Sequence, residues 1–414
     1  MNKNFLALGL AVALLAPQVA GAEGFAINEW SAEGVAMGGA RMFAEDDAAN
    51  VAYNPASITK VKGEVMKSSY TYLSPHGSYK LYDSSDDEIK DEPGHNKVHA
   101  GWAVGSYYVK QINDKEWFGI GAFPRFAMVS EFERESKASS NAFFSKLNGV
   151  SVTPTYAHKF DKKWSAAVGA EINYVGLELQ KNAYATPAMK VGSVQIEGES
   201  YALGWNAAAN YTFDDKNEIG VVYRSRITHS LEADAKAYSK IFGNGKANAY
   251  GVVTLPDSWD IGYNHKFDKK TRLELKATRT NWSSYDALNV YFDKPVFGKP
   301  NALSDKNWEN GWRYAIGLEH NLSDKYAVMA GFAFDESSIP YEGGDFMVPT
   351  GLRRTYSIGA RYNDKKQTVA VALGWMDVGT LDFAGHPDKG DAYKSAHAYD
   401  SFTKIASISY QRKF

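Results

Sequence analysis

The chain has 414 residues, with 46 basic and 48 acidic side chains, a net charge of -2 and no cysteine. This balance gives no electrostatic reason to expect nucleic acid as a partner. The lack of cysteine excludes disulfides and thiolate metal sites. The composition is mildly hydrophilic on average, which does not exclude a membrane β-barrel, because only one face of each barrel strand meets lipid.

The first 22 residues have the features of a secretory signal peptide in the usual order. Lys3 gives a positive start, the stretch from Phe5 to Ala16 is apolar, and Ala20-Gly21-Ala22 offers a small-residue cleavage site. The apolar stretch is shorter than the roughly 20 residues of a spanning helix, and no later run approaches that length. We therefore expect residues 1–22 to be a signal peptide of an exported protein, with no transmembrane helix.

The stretch from Gly24 to Lys60 is rich in Gly and Ala and shows no alternation of apolar and polar residues. From about residue 64 onward, in contrast, the chain has the pattern of a barrel wall. Because a segment of this size does not form part of the barrel wall, we expect it to lie in the lumen. We predict a signal peptide at 1–22, an N-terminal hatch at 23–62 and a transmembrane barrel at 63–414.

Period-two alternation is the main evidence for the barrel. In Tyr201–Phe213 the odd positions are apolar or aromatic, and the even positions are small or polar. Similar alternation occurs in Arg313–Leu322, Tyr326–Phe334 and Gln367–Trp375. In Trp164–Gln180 the apolar residues change phase, which we interpret as a β-bulge near Tyr174.

The connections between these strands alternate strictly in length. Six short connections contain Asp and Lys, at 113–115, 161–163, 214–216, 268–270, 324–325 and 364–366. Seven long polar connections lie between them, at 74–97, 129–146, 183–200, 237–250, 283–310, 336–349 and 379–400. Thirteen connections imply about fourteen strands, and the alternation is typical of outer-membrane barrels with short periplasmic turns and long external loops. A soluble β-sandwich would not need it. The predicted fold is an all-β transmembrane antiparallel barrel with a lumenal hatch.

The last strand, Phe402–Phe414, ends the chain on an aromatic residue. This ending resembles the assembly signal of outer-membrane barrels, which implies the barrel-assembly machinery and outer-membrane lipid as partners. Arg412 departs from the pattern by placing a charge on the apolar face, at a cost of about 0 to 1 kcal/mol near the interface. The predicted location is the outer membrane of a Gram-negative envelope.

Several segments resemble the FadL family of long-chain fatty acid transporters. The resemblance begins in the predicted hatch and continues through most of the chain. It rests on residues 24–31, 37–41, 46–48, 53–59, 204–207, 223–225, 255–259 and 332–335. It implies a fourteen-stranded barrel with a hatch in the lumen, and uptake of long-chain fatty acids or other hydrophobic molecules. It implies no enzymatic activity, cofactor or metal.

Two motifs have a role implied by this resemblance and a purely structural alternative. Asn54-Pro55-Ala56 matches the hatch motif, but Asn54 can equally cap a helical turn that begins at Pro55, and the two roles are compatible. Phe123-Pro124-Arg125 lies within the expected wall strand Trp117–Met128. Because proline cannot donate a ladder hydrogen bond, we expect a weak point there. The resemblance implies a lateral opening, and the alternative is a bulge without function.

The expected mechanism is binding followed by gated diffusion. Tyr238, Ile241 and Phe242 would capture substrate on an external loop, although scattered apolar surface residues are an equally good interpretation. Phe25 would touch a pocket above the hatch, and movement of the hatch N-terminus would connect that pocket to the opening beside Pro124. A carboxylate head group favours Arg or Lys. By residue type alone, the candidates are Arg125, Arg224 and Arg226.

Two other functions compete with this one. A general porin for polar solutes would have no use for the segment Gly24 to Lys60. A hydrolase would need a catalytic constellation, but the nine histidines are scattered along the chain. We therefore predict a transporter of hydrophobic small molecules, which can work as a monomer.

Overall fold

The computed structural model describes residues 24–90, 94–97 and 100–414, so the predicted signal peptide lies outside the described residues. Neighbouring β-segments pair antiparallel in one sheet, which closes where the first segment pairs with the last. The segments are β1 Glu64–Tyr82, β2 Gly101–Gln111, β3 Glu116–Phe123, β4 Ala127–Glu131, β5 Phe144–Lys159, β6 Trp164–Thr186, β7 Met189–Thr212, β8 Asn217–Arg224, β9 Ile227–Tyr238, β10 Gly245–Leu255, β11 Ser258–Lys266, β12 Thr271–Thr280, β13 Val290–Val296, β14 Lys299–Ala302, β15 Gly311–Asn321, β16 Tyr326–Asp335, β17 Arg353–Asn363, β18 Gln367–Val378, β19 Leu381–Ala384 and β20 Ser395–Lys413.

Six wall strands are interrupted, so the twenty described segments form fourteen strands. The interrupted strands consist of β3 with β4, β8 with β9, β10 with β11, β12 with β13, β14 with β15, and β18 with β19. The predicted barrel of about fourteen strands is therefore confirmed. Among the residues that the structure describes, no helix is both long enough and apolar enough to cross a membrane.

Alternation along the strands produces two different faces. In Tyr201–Phe213 the odd-numbered side chains point outward, and Tyr201 and Leu203 are 71% and 77% exposed. Even-numbered Asn206 and Asn210 are buried inside the barrel. Apolar side chains on the outside and polar ones inside are what a lipid-embedded barrel requires.

The bulge predicted near Tyr174 is wrong. The register of β6 with β5 and with β7 runs through this position without a shift, and inward and outward residues keep alternating. Ile172 faces outward, whereas Val175 and Leu177 face inward and join an apolar cluster in the lumen. The apolar residues change phase because the strand passes from a lipid-facing apolar surface to a lumen-facing one.

The N-terminal hatch fills the lumen at the end that carries the short turns. It contains α1 (Ala32–Ala36), α2 (Asn50–Tyr53) and a 3₁₀ helix, Pro55–Lys60, and nearly all of it is buried. The Ser31 hydroxyl accepts a hydrogen bond from Gly34 N and caps α1. Further 3₁₀ turns lie in the long connections, at Lys137–Ser140, Trp282–Ser284 and Tyr341–Gly343.

Glycines in the wall allow the hatch to approach the barrel backbone. A Cβ atom at Gly331 would lie 2.2 Å from the backbone of Met37 and Gly38, and one at Gly317 would lie 2.7 Å from the Met37 side chain. Gly38 itself has φ +62°, a conformation that glycine adopts without strain. Here the hatch therefore lies directly against the wall strands β15 and β16.

Buried ion pairs anchor the hatch to the wall. Lys67 Nζ on β1 lies 2.7 Å from Glu33 Oε2 and 2.9 Å from Asp47 Oδ1, and Arg41 joins Asp47 to Glu319, each at 3.1 Å. Burial acts to raise the pKa of Asp47, but Lys67 and Arg41 more than offset it and hold this pKa well below its usual value. The body of the hatch is thus held to the wall by ion pairs between buried side chains.

The connection between β16 and β17 differs from the expected external loop. Part of it folds into the barrel, where Phe346 is fully buried against Tyr79, Phe132 and Phe383, with ring centroids 4.9 to 5.1 Å apart. Its neighbour Asp345 pairs with the buried Lys306. The segment 339–350, here called the outer plug, therefore closes the lumen from the side opposite the hatch.

Candidate functional site

An aromatic cage surrounds Phe25 near the N-terminal end of the hatch. The Phe25 ring is fully buried, with ring centroids 4.7 Å from Trp282, 5.4 Å from Tyr285, 5.8 Å from Trp308 and 6.0 Å from Phe126. Trp282 and Trp308 come from the two interruptions beside β12 and β15, where the chain turns into the lumen. Apolar rings at these separations form a pocket suited to a hydrophobic group.

The backbone around Phe25 pairs with the interrupted third wall strand. Ala127 N donates to Phe25 O at 2.9 Å, and Ile27 N donates to Arg125 O at 2.8 Å. On the other side of the lumen, Arg353 Nη2 donates to Gly24 O at 2.8 Å. The N-terminal residues of the hatch are therefore held between two opposite parts of the wall.

The third wall strand breaks at Pro124, between β3 and β4. Its ladder with β2 runs from Gln111–Trp117 only as far as Ser106–Ala122. Residues 101–105 of β2 pair with β1, and no other described residue forms a ladder with them on the opposite edge. The wall therefore has a gap in its hydrogen-bonded ladder beside Pro124.

Trp30 of the hatch closes this gap from within. Its Nε1 donates to Pro124 O at 2.6 Å, and its own carbonyl accepts a hydrogen bond from the Tyr107 hydroxyl at 2.9 Å. Its ring packs on the buried Phe123, with centroids 5.2 Å apart. The same short stretch of hatch, from Phe25 to Trp30, thus fills the cage and covers the gap.

The three arginines considered as head-group ligands already have carboxylate partners. Arg125 lies 2.9 Å from Glu171, and Arg224 lies 2.6 Å from Asp260, all of them buried. Arg224 also donates to the hatch carbonyl of Ala52. The third, Arg226, is half exposed, with Asp257 at 3.2 Å. These contacts indicate that Arg125 and Arg224 stabilise the wall and its contact with the hatch.

The loop residues expected to capture substrate are not near the cage. Tyr238, Ile241 and Phe242 lie at the tip of the β9–β10 hairpin and are 45%, 58% and 69% exposed. The Phe242 ring lies 6.4 Å from that of Phe297 on the next hairpin. They form a separate apolar patch at the end of the barrel opposite the hatch.

Asn54-Pro55-Ala56 has the geometry of a helix cap, with Asn54 as the capping residue. Asn54 Oδ1 accepts a hydrogen bond from Ala56 N at 3.2 Å, and Pro55 is the first residue of the 3₁₀ helix. In addition, Asn54 Nδ2 donates to Asn210 Oδ1 on β7 at 2.7 Å. The motif therefore joins the hatch to the wall and lies on the side of the hatch facing the short turns.

A small cavity of about 80 Å³ lies under the outer plug. Tyr79, Phe132, Phe346 and Met347 are among its lining residues, together with Arg353. Pockets for drug-sized ligands are roughly 300 to 1,000 Å³. A long hydrophobic molecule can therefore occupy this region only if Phe25, the outer plug, or both, move.

Sequence reasoning missed Trp282, Tyr285, Trp308 and Arg353. The two tryptophans stand next to or within a long connection that is otherwise polar, and this is the one signal that could have drawn attention to them. Alternation could have separated Arg353 from Arg354, because Arg354 is in phase with the apolar Tyr356 and Ile358 and points outward, whereas Arg353 points into the lumen.

Comparisons with known proteins agree with this architecture. The family described as outer membrane protein transport protein (OMPP1/FadL/TodX) matches residues 12–414. The long-chain fatty acid transport protein of Escherichia coli O6:H1 is 23% identical over 408 residues, covering 89% of this chain and 90% of that protein.

Two solved structures share the fold. A FadL homologue of Pseudomonas aeruginosa has a TM-score of 0.85 and 18% identity, covering 94% of this chain and 100% of that one. The toluene transporter TodX of Pseudomonas putida has a TM-score of 0.70 and 16% identity, covering 96% of this chain and 100% of that one. With a family match over nearly its whole length and a closed fourteen-stranded barrel, the chain belongs to the OMPP1/FadL/TodX family of outer-membrane transport proteins.

Proposed function

We propose that the protein takes up long-chain fatty acids or other hydrophobic molecules by lumenal binding, movement of the hatch N-terminus and lateral exit through the wall. The observation that carries this proposal is that one segment, Phe25 to Trp30, both fills an apolar cage and covers the gap beside Pro124. The names of the relatives, which include a fatty acid and a toluene transporter, support a hydrophobic substrate.

The proposed path begins at the exposed patch of Tyr238, Ile241 and Phe242. A substrate captured there would pass the outer plug and enter the cage, where its apolar part replaces the ring of Phe25. Each CH₂ group buried contributes about 0.8 kcal/mol, so an alkyl chain can displace one phenyl ring. Withdrawal of residues 24–27 would remove their pairing with Arg125 and Ala127 and uncover the lateral gap formed by Phe123, Pro124 and Arg125.

The hatch body would stay in place during this movement, because its buried ion pairs hold it to the wall. We propose the boundaries 1–22 for the signal peptide, 23–62 for the hatch and 63–414 for the barrel. No cofactor, metal or catalytic step belongs to this mechanism, and the protein would act as a monomer in outer-membrane lipid after insertion by the barrel-assembly machinery.

The gate is tested by deleting residues 23–26. Without Phe25 the cage has no internal occupant and the backbone pairing to Ala127 is lost, so coupling between binding and opening should fail. Uptake of labelled fatty acid or toluene by cells should fall at least several-fold, while heat-modifiable migration on gels shows an intact barrel. Unchanged uptake of every hydrophobic substrate tested would contradict a role for this segment.

The lateral route is tested by replacing Phe123-Pro124-Arg125 with Val-Thr-Val. A regular strand should extend the ladder with β2 and seal the wall. Uptake should then fall while binding of substrate to the purified protein persists. Because Arg125 pairs with the buried Glu171, the matched control is the same variant with Glu171→Gln, which removes the unpaired carboxylate. Normal uptake by the Val-Thr-Val variant, with and without Glu171→Gln, would contradict a lateral exit.

A general porin is the alternative function, and conductance separates the two. Hatch and outer plug fill the lumen, so purified protein in a planar bilayer should give no large, steady ion current. Such a current from the wild-type protein would favour the porin.

A further inference from the structure

The end of the barrel that carries the short turns has an open groove on its outer side. The groove lies between two of these turns and the last wall strand, and its volume is about 820 Å³. Tyr410 and Arg412, which line it, are on the outward face of β20, so the groove opens toward lipid. The other lining residues are Asp324, Lys325, Asn363, Asp364, Lys365, Lys366 and Gln367.

Four cations line this groove, against two carboxylates. The cations are Lys325, Lys365, Lys366 and Arg412. None of the four makes an ion pair within the described part of the chain. Asp364 Oδ1 accepts hydrogen bonds from Lys366 N at 2.7 Å and Gln367 N at 2.8 Å, and these amides hold the pKa of Asp364 below its usual value. Backbone dipoles therefore already compensate the charge of Asp364, and the groove keeps a net positive charge.

An apolar strip adjoins this groove on the outside of the barrel. Val371 on β18 and Ile408 on β20 are cross-strand neighbours, and Tyr410 follows Ile408 on the same face, nearer the groove. All three side chains are exposed. In an outer-membrane barrel such a surface meets acyl chains. A single lipid can therefore place its head group in the groove and its chains on the strip.

Arg412 is the residue that most clearly points to an anion. Among the lipid-facing positions of β20 it follows Ile408 and Tyr410, where an apolar residue is expected, and its guanidinium lies 5.5 Å from the centroid of the Phe414 ring. A guanidinium presents its N–H groups in a planar fork that matches the oxygen atoms of a phosphate. Clusters of basic residues next to a membrane surface recognise anionic lipid head groups. A phosphate between Arg412 and the lysines of the turn would pair all of these charges.

We propose that this groove binds the phosphate of an anionic phospholipid in the inner leaflet of the outer membrane, with the head group on Arg412, Lys365 and Lys366 and the acyl chains along Val371 and Ile408. The inner leaflet follows from the short turns, which lie at the periplasmic end of such barrels. The site is independent of the lumen and of the transported substrate. Each basic residue near an anionic head group raises binding by about fivefold.

The test compares phosphatidylglycerol with phosphatidylcholine of the same acyl chains, because the two lipids differ in net charge. Binding of the first lipid to the detergent-purified full chain is measured by native mass spectrometry at pH 7 and low salt. Wild type should bind phosphatidylglycerol about tenfold more tightly, and Arg412→Gln should lower this ratio to about two. The matched control is Lys404→Gln, which removes an outward cation from the same face of β20 about 26 Å away and should keep the wild-type ratio.

A second pair of variants tests the turn. Lys365→Gln combined with Lys366→Gln should lower the ratio at least as far as Arg412→Gln does. Lys269→Gln combined with Lys270→Gln is its control, because Asp268 Oδ1 accepts from Lys270 N and Thr271 N at 2.7 and 2.8 Å in a turn of the same geometry. That turn lines a different groove, on the lumen side, together with the buried Arg41 and Glu319. The control should keep the wild-type ratio.

Asp324→Asn should act in the opposite direction. The cap of this turn is Ser323, whose Oγ accepts hydrogen bonds from Lys325 N at 3.3 Å and Tyr326 N at 3.2 Å, so the turn should remain. Loss of the exposed carboxylate should raise the preference for phosphatidylglycerol by about twofold. A gain of this kind does not arise from a failure to fold, so it keeps the proposal falsifiable if another variant does not assemble.

Three results would overturn the lipid site. The first is a ratio near one in wild type, or a ratio that none of the variants at positions 324, 365, 366 and 412 changes. The second is displacement of phosphatidylglycerol by millimolar inorganic phosphate at equal ionic strength, which would make the groove a general anion site. The third is a lower yield of heat-modifiable barrel from Arg412→Gln at an unchanged lipid ratio, which would assign Arg412 to the assembly machinery.

Discussion

Replacing Lys67 with methionine is expected to loosen the hatch and make its backbone accessible to protease. Lys67 is 1% exposed and holds Glu33 and Asp47 at 2.7 and 2.9 Å. Its removal leaves two carboxylates in the lumen with Arg41 as the remaining cation in contact with Asp47. Breaking a buried pair in this way costs about 3 to 5 kcal/mol. The barrel wall is held by its own backbone hydrogen bonds, so this loss of free energy should weaken docking of the hatch and leave the wall intact.

Limited proteolysis followed by mass spectrometry measures this effect through cleavage within residues 32–60, because the outer plug still closes the other end of the lumen to ions. The control is Lys62→Met, since Lys62 is exposed just beyond the 3₁₀ helix of the hatch and makes no ion pair within the described chain. We expect cleavage within residues 32–60 of Lys67→Met and protection of this segment in Lys62→Met. A protected, heat-modifiable Lys67→Met variant would show that the ion pairs do not anchor the hatch.

Replacing Gly331 with valine should displace the hatch by a purely steric route. The new Cβ would lie 2.2 Å from the backbone of Met37 and Gly38, where no side chain can rotate away. Valine suits a wall strand, so β16 should still form. Overpacking costs typically about 1 to 3 kcal/mol, and a clash with the hatch backbone belongs at the upper end or beyond.

Limited proteolysis followed by mass spectrometry reports this displacement, because cleavage within residues 32–60 requires the hatch to leave its buried position. Gly245→Ala is the matched control, since a Cβ there meets only Ala237 at 3.9 Å. We expect hatch cleavage in Gly331→Val alone. Equal protection of both variants would mean that the hatch and β16 can separate slightly without loss of docking.

The barrel wall could be predicted because its determinants are local. Each residue of Tyr201–Phe213 meets either lipid or lumen, so the pattern of side chains reports the strand directly. The interpretation of Trp164–Gln180 was wrong for a related reason. Alternation shows which residues are apolar but not whether lipid or another protein surface covers them, and Val175 and Leu177 are covered by the lumenal cluster.

The site could be predicted only in part, because it depends on contacts between distant segments. The weak point at Pro124 was predicted from the missing N–H of proline, and the family resemblance supplied the lateral opening and the role of Phe25; the structure places the two segments side by side. The cage needs Trp282 and Trp308, which follow Phe25 by more than 250 residues, and no local pattern connects them. The outer plug was missed because the connection 336–349 was interpreted as a polar loop, although its apolar run Phe346-Met347-Val348 could have indicated a buried segment.

The hatch also bridges the seam where the barrel closes. Gln411 on β20 donates from Nε2 to Asp46 O at 2.8 Å and accepts at Oε1 from Ala48 N at 3.1 Å, while β1 on the other side of the seam supplies Lys67 to Asp47. Closing the seam two residues out of register would shift these partners by about 7 Å, beyond hydrogen-bond reach. Docking of the hatch therefore stabilises the observed register of β1 and β20 relative to a register shifted by two residues.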